Sequence, residues 1–179
     1  MPQNLTSAPE NYEIHSFVSE GPDIVVTPAE HKGRGVLHSH SFYEIVYVAE
    51  GFTLHQSCGR ITMLITGDFF FVKPGEVHSY INAYQTKLYN LLFVPAALGD
   101  SFSALSALPG LDEMFSPSGE SLDPTHRLLH VSIGERRNIE SALEKMIGER
   151  ENKNVGWEVS LKARLTSLLI KYARMSWMC

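Results

Sequence analysis

The stretch His38-Ser39-His40-Ser41-Phe42-Tyr43-Glu44-Ile45-Val46-Tyr47-Val48-Ala49-Glu50-Gly51 decides how this chain is read. Two His flank one residue, a Glu follows four past the second, and a Gly stands seven past the Glu. Residues two apart in extended backbone share a face, so His38, His40 and Glu44 point the same way. A second stretch answers it: Gly67-Asp68-Phe69-Phe70-Phe71-Val72-Lys73-Pro74-Gly75-Glu76-Val77-His78, then Asn82. His38, His40, Glu44 and His78 make a ligand set for a divalent transition metal with coordination positions left over. Zn, Ni, Fe, Mn and Co all suit such ligands. Each His must be neutral to bind, so affinity falls below the imidazole pKa of ~6.5. The same groups equally line a metal-free pocket that hydrogen-bonds a polar small molecule. Tyr80, two beyond His78 and on its face, and Asn90 on the last strand join His38 and His78 as candidates for holding that molecule. No residue is assigned a catalytic role, and Cys58, with no CxxC partner, is not a candidate thiol.

The two stretches resemble the paired motifs of the cupin superfamily. The first reads H-x-H-x3-E-x6-G (His38, His40, Glu44, Gly51) and the second G-x10-H-x3-N (Gly67, His78, Asn82). Pro74 abuts Gly75, where the usual pattern has one residue between them. The resemblance implies a double-stranded β-helix, that is, a jelly-roll barrel.

The surrounding sequence agrees. Tyr43–Ala49 alternates with both faces largely apolar, as a strand covered on both sides requires. Ile24–Thr27 reads as a strand that Pro28 ends or places on an edge, and 30–35 as a loop. Phe52–Gln56 and Ile61–Thr66 form a hairpin about Ser57-Cys58-Gly59-Arg60. Phe69–Val72, Val77–Ile81 and Lys87–Val94 complete a set of short strands with turns between them.

Past Pro95 the pattern changes. Residues 96–131 read as a connector with a helical turn or two. Ser132-Ile133-Gly134-Glu135 is a capping-box pattern that starts a helix with Ile139, Leu143, Met146 and Ile147 on one face. After Glu151–Gly156, a second stripe runs through Trp157, Leu161, Leu165, Leu168, Leu169 and Tyr172. The expected architecture is mainly β with C-terminal helices. Residues 1–20 form an arm, 21–95 a cupin barrel, 96–131 the connector and 132–179 an antiparallel helical hairpin. The second stripe is wide for one contact, so it is expected to meet another subunit as well.

Composition narrows the function classes. The 179 residues carry a net charge of −5, with 44% hydrophobic and 20% charged residues, ordinary for a globular protein. Residues 1–109 hold five Lys/Arg against ten Asp/Glu, and residues 110–179 hold ten of each. Neither half has the basic surplus that phosphate neutralisation needs, so this chain alone is not expected to hold nucleic acid well. Two Cys suggest no disulfide framework, no apolar run reaches ~18 residues, and residues 1–10 lack a signal-peptide core. A cytoplasmic protein without a membrane partner is expected.

The runs His38–Val48, Gly67–Tyr80 and Leu88–Phe93, with the helices after Ser132, resemble the N-terminal sensor domain of AraC-type bacterial transcriptional regulators. That resemblance implies a small effector, often a sugar, bound in the barrel, and dimerisation through the helices. It implies DNA binding by a separate C-terminal domain with two helix-turn-helix units, which this sequence does not contain. In the family's arabinose sensor a pocket Tyr follows the second-motif His by two, the place Tyr80 occupies; that sensor lacks the metal ligands present here. The alternative is a stand-alone metal-dependent cupin enzyme, a dioxygenase or sugar isomerase. Such an enzyme needs an open coordination site beside a base, and Glu44 is consumed if it is a ligand.

Overall fold

A computed structural model describes residues 9–116 and 128–177. Eight strands and four α-helices occur among them: β1 Glu10–Tyr12, β2 Ile24–Gly33, β3 His38–His40, β4 Tyr43–Ser57, β5 Arg60–Ile65, β6 Asp68–Val72, β7 His78–Phe93, β8 Leu128–His130, α1 Ser101–Ser106, α2 Asp112–Phe115, α3 Ile133–Asn152 and α4 Trp157–Trp177.

Two long strands build the barrel. β4 and β7 pair antiparallel almost end to end, from Tyr43↔Phe93 to Ser57↔His78, with register shifts around Glu50 and at Leu54/His55. Both bend where those shifts fall. Gly51 has φ +83°, and Gln85, opposite it, has φ +44°. A Cβ on Gly51 would lie 2.4 Å from the Gln85 carbonyl oxygen, so the backbones meet too closely for any side chain. The bend divides the strands between two leaves. The first holds β2, the second half of β7, the first half of β4, then β6 and β8. The second holds β1, β3, the first half of β7, the second half of β4, and β5. Two facing leaves that share bent strands are the jelly-roll barrel the motifs imply.

The first leaf is buried on both sides. Val46, Val48, Phe70, Val72 and Leu88 cluster inside the barrel with Leu64 and Tyr80. Tyr43, Ile45, Tyr47, Phe69, Phe71, Leu91 and Phe93 face outward and are covered by residues of α1 to α4. Alternation with apolar residues at both parities therefore has a cause: one face fills the barrel and the other receives the helices.

Several expectations need correction. Pro28 does not end its strand. β2 runs ten residues to Gly33, taking in 30–33, which were expected to be loop. The other alternative holds: among the described residues β2 pairs with β7 alone, so Pro28 lies on an edge strand. The segments 77–81 and 87–94 belong to one bent strand. Ser132 is the N-cap of α3, but its side chain makes no cap hydrogen bond; Glu135 pairs with Lys171 and Asn138 instead. β8 inside the connector had no sequence signal beyond three residues. The Leu stripe of α4 is consumed within the chain, for Leu161, Leu165, Leu168, Leu169 and Tyr172 are all buried in the helix-side core. The helices fold back antiparallel after Lys153, which caps α3 in the left-handed conformation. Within the arm, Ile14 and Val18 are buried with Val25, Phe42 and Leu92. No helix among the described residues is long and apolar enough to cross a membrane.

Candidate functional site

His40, Glu44 and His78 come from three different strands and converge inside the barrel. Their ligand atoms all lie within 4.8 Å of one another, and all three residues are buried. His40 Nε2 is 3.2 Å and His78 Nε2 3.3 Å from Glu44 Oε2. β4 delivers Glu44 from the first leaf, whereas β3 and the start of β7 deliver the imidazoles from the second.

The second nitrogen of each ring settles what these contacts are. Nδ1 of His40 donates to the Phe42 carbonyl at 2.7 Å, and Nδ1 of His78 donates to the Glu76 carbonyl at 3.1 Å. A carbonyl oxygen can only accept, so both Nδ1 atoms carry protons. In the neutral rings Nε2 is then a bare lone pair facing a carboxylate. Acceptor against acceptor is tolerable only with a cation between or on them, either a proton or a metal ion. A metal fits the spacing. Two ligand atoms each ~2.1 Å from one ion and roughly 100° apart stand ~3.2 Å from each other. Carbonyls that fix the far side of each ring are the usual support of a ligating His. The group could hold a metal ion.

Electrostatics point the same way. Burial pushes the Glu44 carboxyl up, but hydrogen bonds from His40 and His78 and their charge outweigh it and hold it well below the usual carboxylate range. Burial disfavours the charged form of His78; the Glu44 hydrogen bond and charge overcome that and raise its pKa. Tyr80 is pushed well above the usual phenol value by burial and then by the Glu44 charge.

His38 stands next to this group but outside it. Its Nδ1 donates to the Val36 carbonyl at 2.9 Å, its ring centre is 4.2 Å from that of His78, and burial lowers its pKa. Asn82 of the second motif is exposed. Tyr80 is buried further along the barrel wall. Asn90 pairs across β4 with Val46, and its side-chain oxygen is buried with no hydrogen-bond partner among the described residues.

Two further imidazoles, with no motif around them in the sequence, line the same wall. His55 is buried against Phe70, with its ring centre 5.5 Å from His78 and 5.4 Å from Tyr80. His31 lies 4.5 Å from Tyr80 on the other side, and burial lowers its pKa. His55 was hidden by the bend. Glu44, Val46 and Val48 face inward at even positions, but past Gly51 the buried residues are Thr53, His55 and Ser57, at odd ones. His130 is outside the barrel, donating Nδ1–H to Asp68 at 2.7 Å while Arg136 donates to its Nε2 at 3.1 Å. His126 lies outside the described residues.

Residues 21–169 match a family model described as AraC-like ligand binding domain. The chain is 27% identical over 135 residues to the HTH-type transcriptional activator RhaR of Klebsiella pneumoniae subsp. pneumoniae, covering 75% of this chain and 46% of that protein. To the RhaR of Escherichia coli O139:H28 it is 29% identical over 107 residues, covering 60% and 36%. The chain thus spans less than half the length of these curated relatives. Among solved structures it is similar to an RmlC-like cupin from Shewanella frigidimarina (28% identity, TM-score 0.37, 38% of this chain and 64% of that one). It is also similar to KdgF from Halomonas sp. (22% identity, TM-score 0.38, 42% and 73%).

Proposed function

The chain belongs to the AraC-like ligand-binding domain family, and from that premise we propose that it is the effector-binding and dimerisation half of a cytoplasmic transcriptional regulator. The effector is a small polar molecule, a sugar being the chemistry that suits the wall best. Hydroxyl groups both donate and accept. The wall offers an acceptor at the Asn90 carbonyl and a donor at the Tyr80 hydroxyl, with the His38 Nε2 as a second acceptor beside His78. One observation carries the reading: the Asn90 Oδ1 is buried inside the barrel with no hydrogen-bond partner among the described residues. An orphaned buried acceptor costs roughly 1–3 kcal/mol, which a bound donor recovers. DNA is contacted through a separate domain, as the HTH-type names of the relatives suggest.

His40, Glu44 and His78 hold a divalent metal in this reading, and His38 is placed to turn toward it. A bound ion would supply a Lewis acid that orients ligand oxygens. The Phe42 and Glu76 carbonyls fix the two ring orientations, and burial keeps the group from bulk water.

Dimerisation uses the outer face of α4. Val159, Lys162, Ala163, Thr166 and Ile170 line a groove there with Leu98. Val159 and Ala163 are exposed, which the Leu stripe is not.

Titration calorimetry with a panel of monosaccharides, with and without added metal, tests the proposal. Saturable binding that Asn90→Leu and Tyr80→Phe weaken is expected. No heat with any sugar or sugar acid, with or without metal, overturns it.

A second reading has a specific observation behind it. The His40/Glu44/His78 group also suits a metal-dependent cupin enzyme. Oxygen uptake or sugar isomerisation by the metal-loaded chain would favour that reading over the sensor.

A further inference from the structure

The second leaf has an apolar outer face that nothing in the described chain covers. The helices pack on the first leaf. A solvent-facing side of an antiparallel sheet ordinarily reads polar. Here the outward positions include Phe52 and Leu54 on β4, Ile61, Met63 and Ile65 on β5, and Tyr84 on β7, with the uncharged Gln56 and Asn82 beside them. Register makes them one patch, for Phe52 pairs with both Ile65 and Tyr84, and Leu54 pairs with Met63. The Phe52 and Tyr84 rings stack at 5.7 Å. Ile61, Met63 and Tyr84 are 62%, 59% and 61% exposed. The flanking strand β5 pairs with β4 alone among the described residues, and between Ile61 and Ile65 it carries no charge and no Pro to discourage docking.

We propose that this face receives a second copy of this chain, the two second leaves packing face to face about a two-fold axis. Side chains of these sizes at these exposures present on the order of 500 Å², already at the upper range of patches on monomers. Two copies together bury ~1,000 Å², the lower bound for a specific interface. The patch is neutral, so a two-fold sets no like charges against each other, and it holds no charged group to select a different partner. Side chains interdigitate across the ~10 Å spacing of stacked sheets. The contact is independent of the α4 face, which lies over the other leaf, so both can be made at once. The result is then a closed tetramer or an open row, depending on how the axes meet.

Sedimentation velocity across a concentration series tests this. In a Val159→Glu/Ala163→Glu background, which removes the α4 face, the chain still dimerises. Adding Met63→Lys raises that dimer's dissociation constant tenfold or more, with the far-UV circular dichroism unchanged. A Val159→Glu/Ala163→Glu chain that is monomeric at every concentration, or a dimer indifferent to Met63→Lys, overturns the proposal. Hydrogen exchange on the unsubstituted chain gives a check free of folding defects. The amides of β4 and β5 exchange more slowly as protein concentration rises, and concentration-independent exchange there overturns it too.

Discussion

His78 Nε2 and Glu44 Oε2 meet at 3.3 Å across the barrel, one from each leaf, after His78 has spent its other ring proton on the Glu76 carbonyl. The pair holds the leaves together only if something positive sits between them. In the metal-free chain that is a proton on an imidazole; with metal bound it is the ion.

Metal removal separates these cases. Divalent Zn, Ni, Co or Mn added in large excess over its dissociation constant stabilises the chain by about 3 kcal/mol at a hundredfold excess. For a domain of this size that is a rise of roughly 6–12 °C in melting temperature. Glu44→Gln abolishes the shift. Differential scanning fluorimetry reads it, and a flat response to all four ions and to ferrous iron refutes a metal at this site.

The pH dependence of stability should change sign with metal. In chelator, the raised pKa of His78 means the native state holds a proton the unfolded chain gives up. That contribution is complete below ~6.5, the unfolded value, and is lost as pH rises through the higher folded one. Glu44, His31 and His38, all lowered, act on the acid side: their contributions are present above the ordinary values and fade as pH falls through the folded ones. Metal-free protein therefore weakens as pH rises above ~6.5 and through the raised folded value, and His78→Gln flattens that limb. Metal-loaded protein instead strengthens from pH 6 to 8, as protons stop competing for the imidazoles. Urea midpoints across this range would distinguish the two slopes.

Asn90→Leu is expected to stabilise the empty chain by about 1 kcal/mol, because it removes a buried acceptor that has no partner among the described residues. The same change should reduce effector affinity tenfold or more. A variant that loses stability and keeps full affinity would place Asn90 in the packing rather than in the pocket.

Gly51→Ala is expected to cost about 2–4 kcal/mol, from a left-handed φ and a Cβ 2.4 Å from the Gln85 carbonyl. Chemical denaturation measures this directly. A loss under 1 kcal/mol would mean that the two backbones part easily at the bend.

Val159→Glu/Ala163→Glu should break the α4 contact while changing monomer stability by no more than about 0.5 kcal/mol per site, since both residues are exposed. Sedimentation of this variant against Leu165→Ala makes the contrast. Leu165 is fully buried in the helix-side core, and its loss should lower stability by ~2–5 kcal/mol before it touches assembly.

Much of this protein follows from residues close together in the chain. The spacing of His38, His40, Glu44, Gly67 and His78 marks the barrel, the two-sided apolar run Tyr43–Val48 marks its covered leaf, and the stripes on α3 and α4 mark the hairpin. These are local signals, because strand and helix periods are set by the backbone over a few residues. Other features depend on which strands meet. The bend at Gly51 reverses the inward parity of β4, which alone turns His55 into the barrel. The choice among the motif residues, His40, Glu44 and His78 in one group with His38 beside it, depends on how β3 approaches β7 across some forty residues of sequence. The Leu stripe of α4 could not say whether it met its own barrel or another subunit, because burial belongs to the partner surface. Only the packed helices leave Val159 and Ala163 outside and Leu165 within.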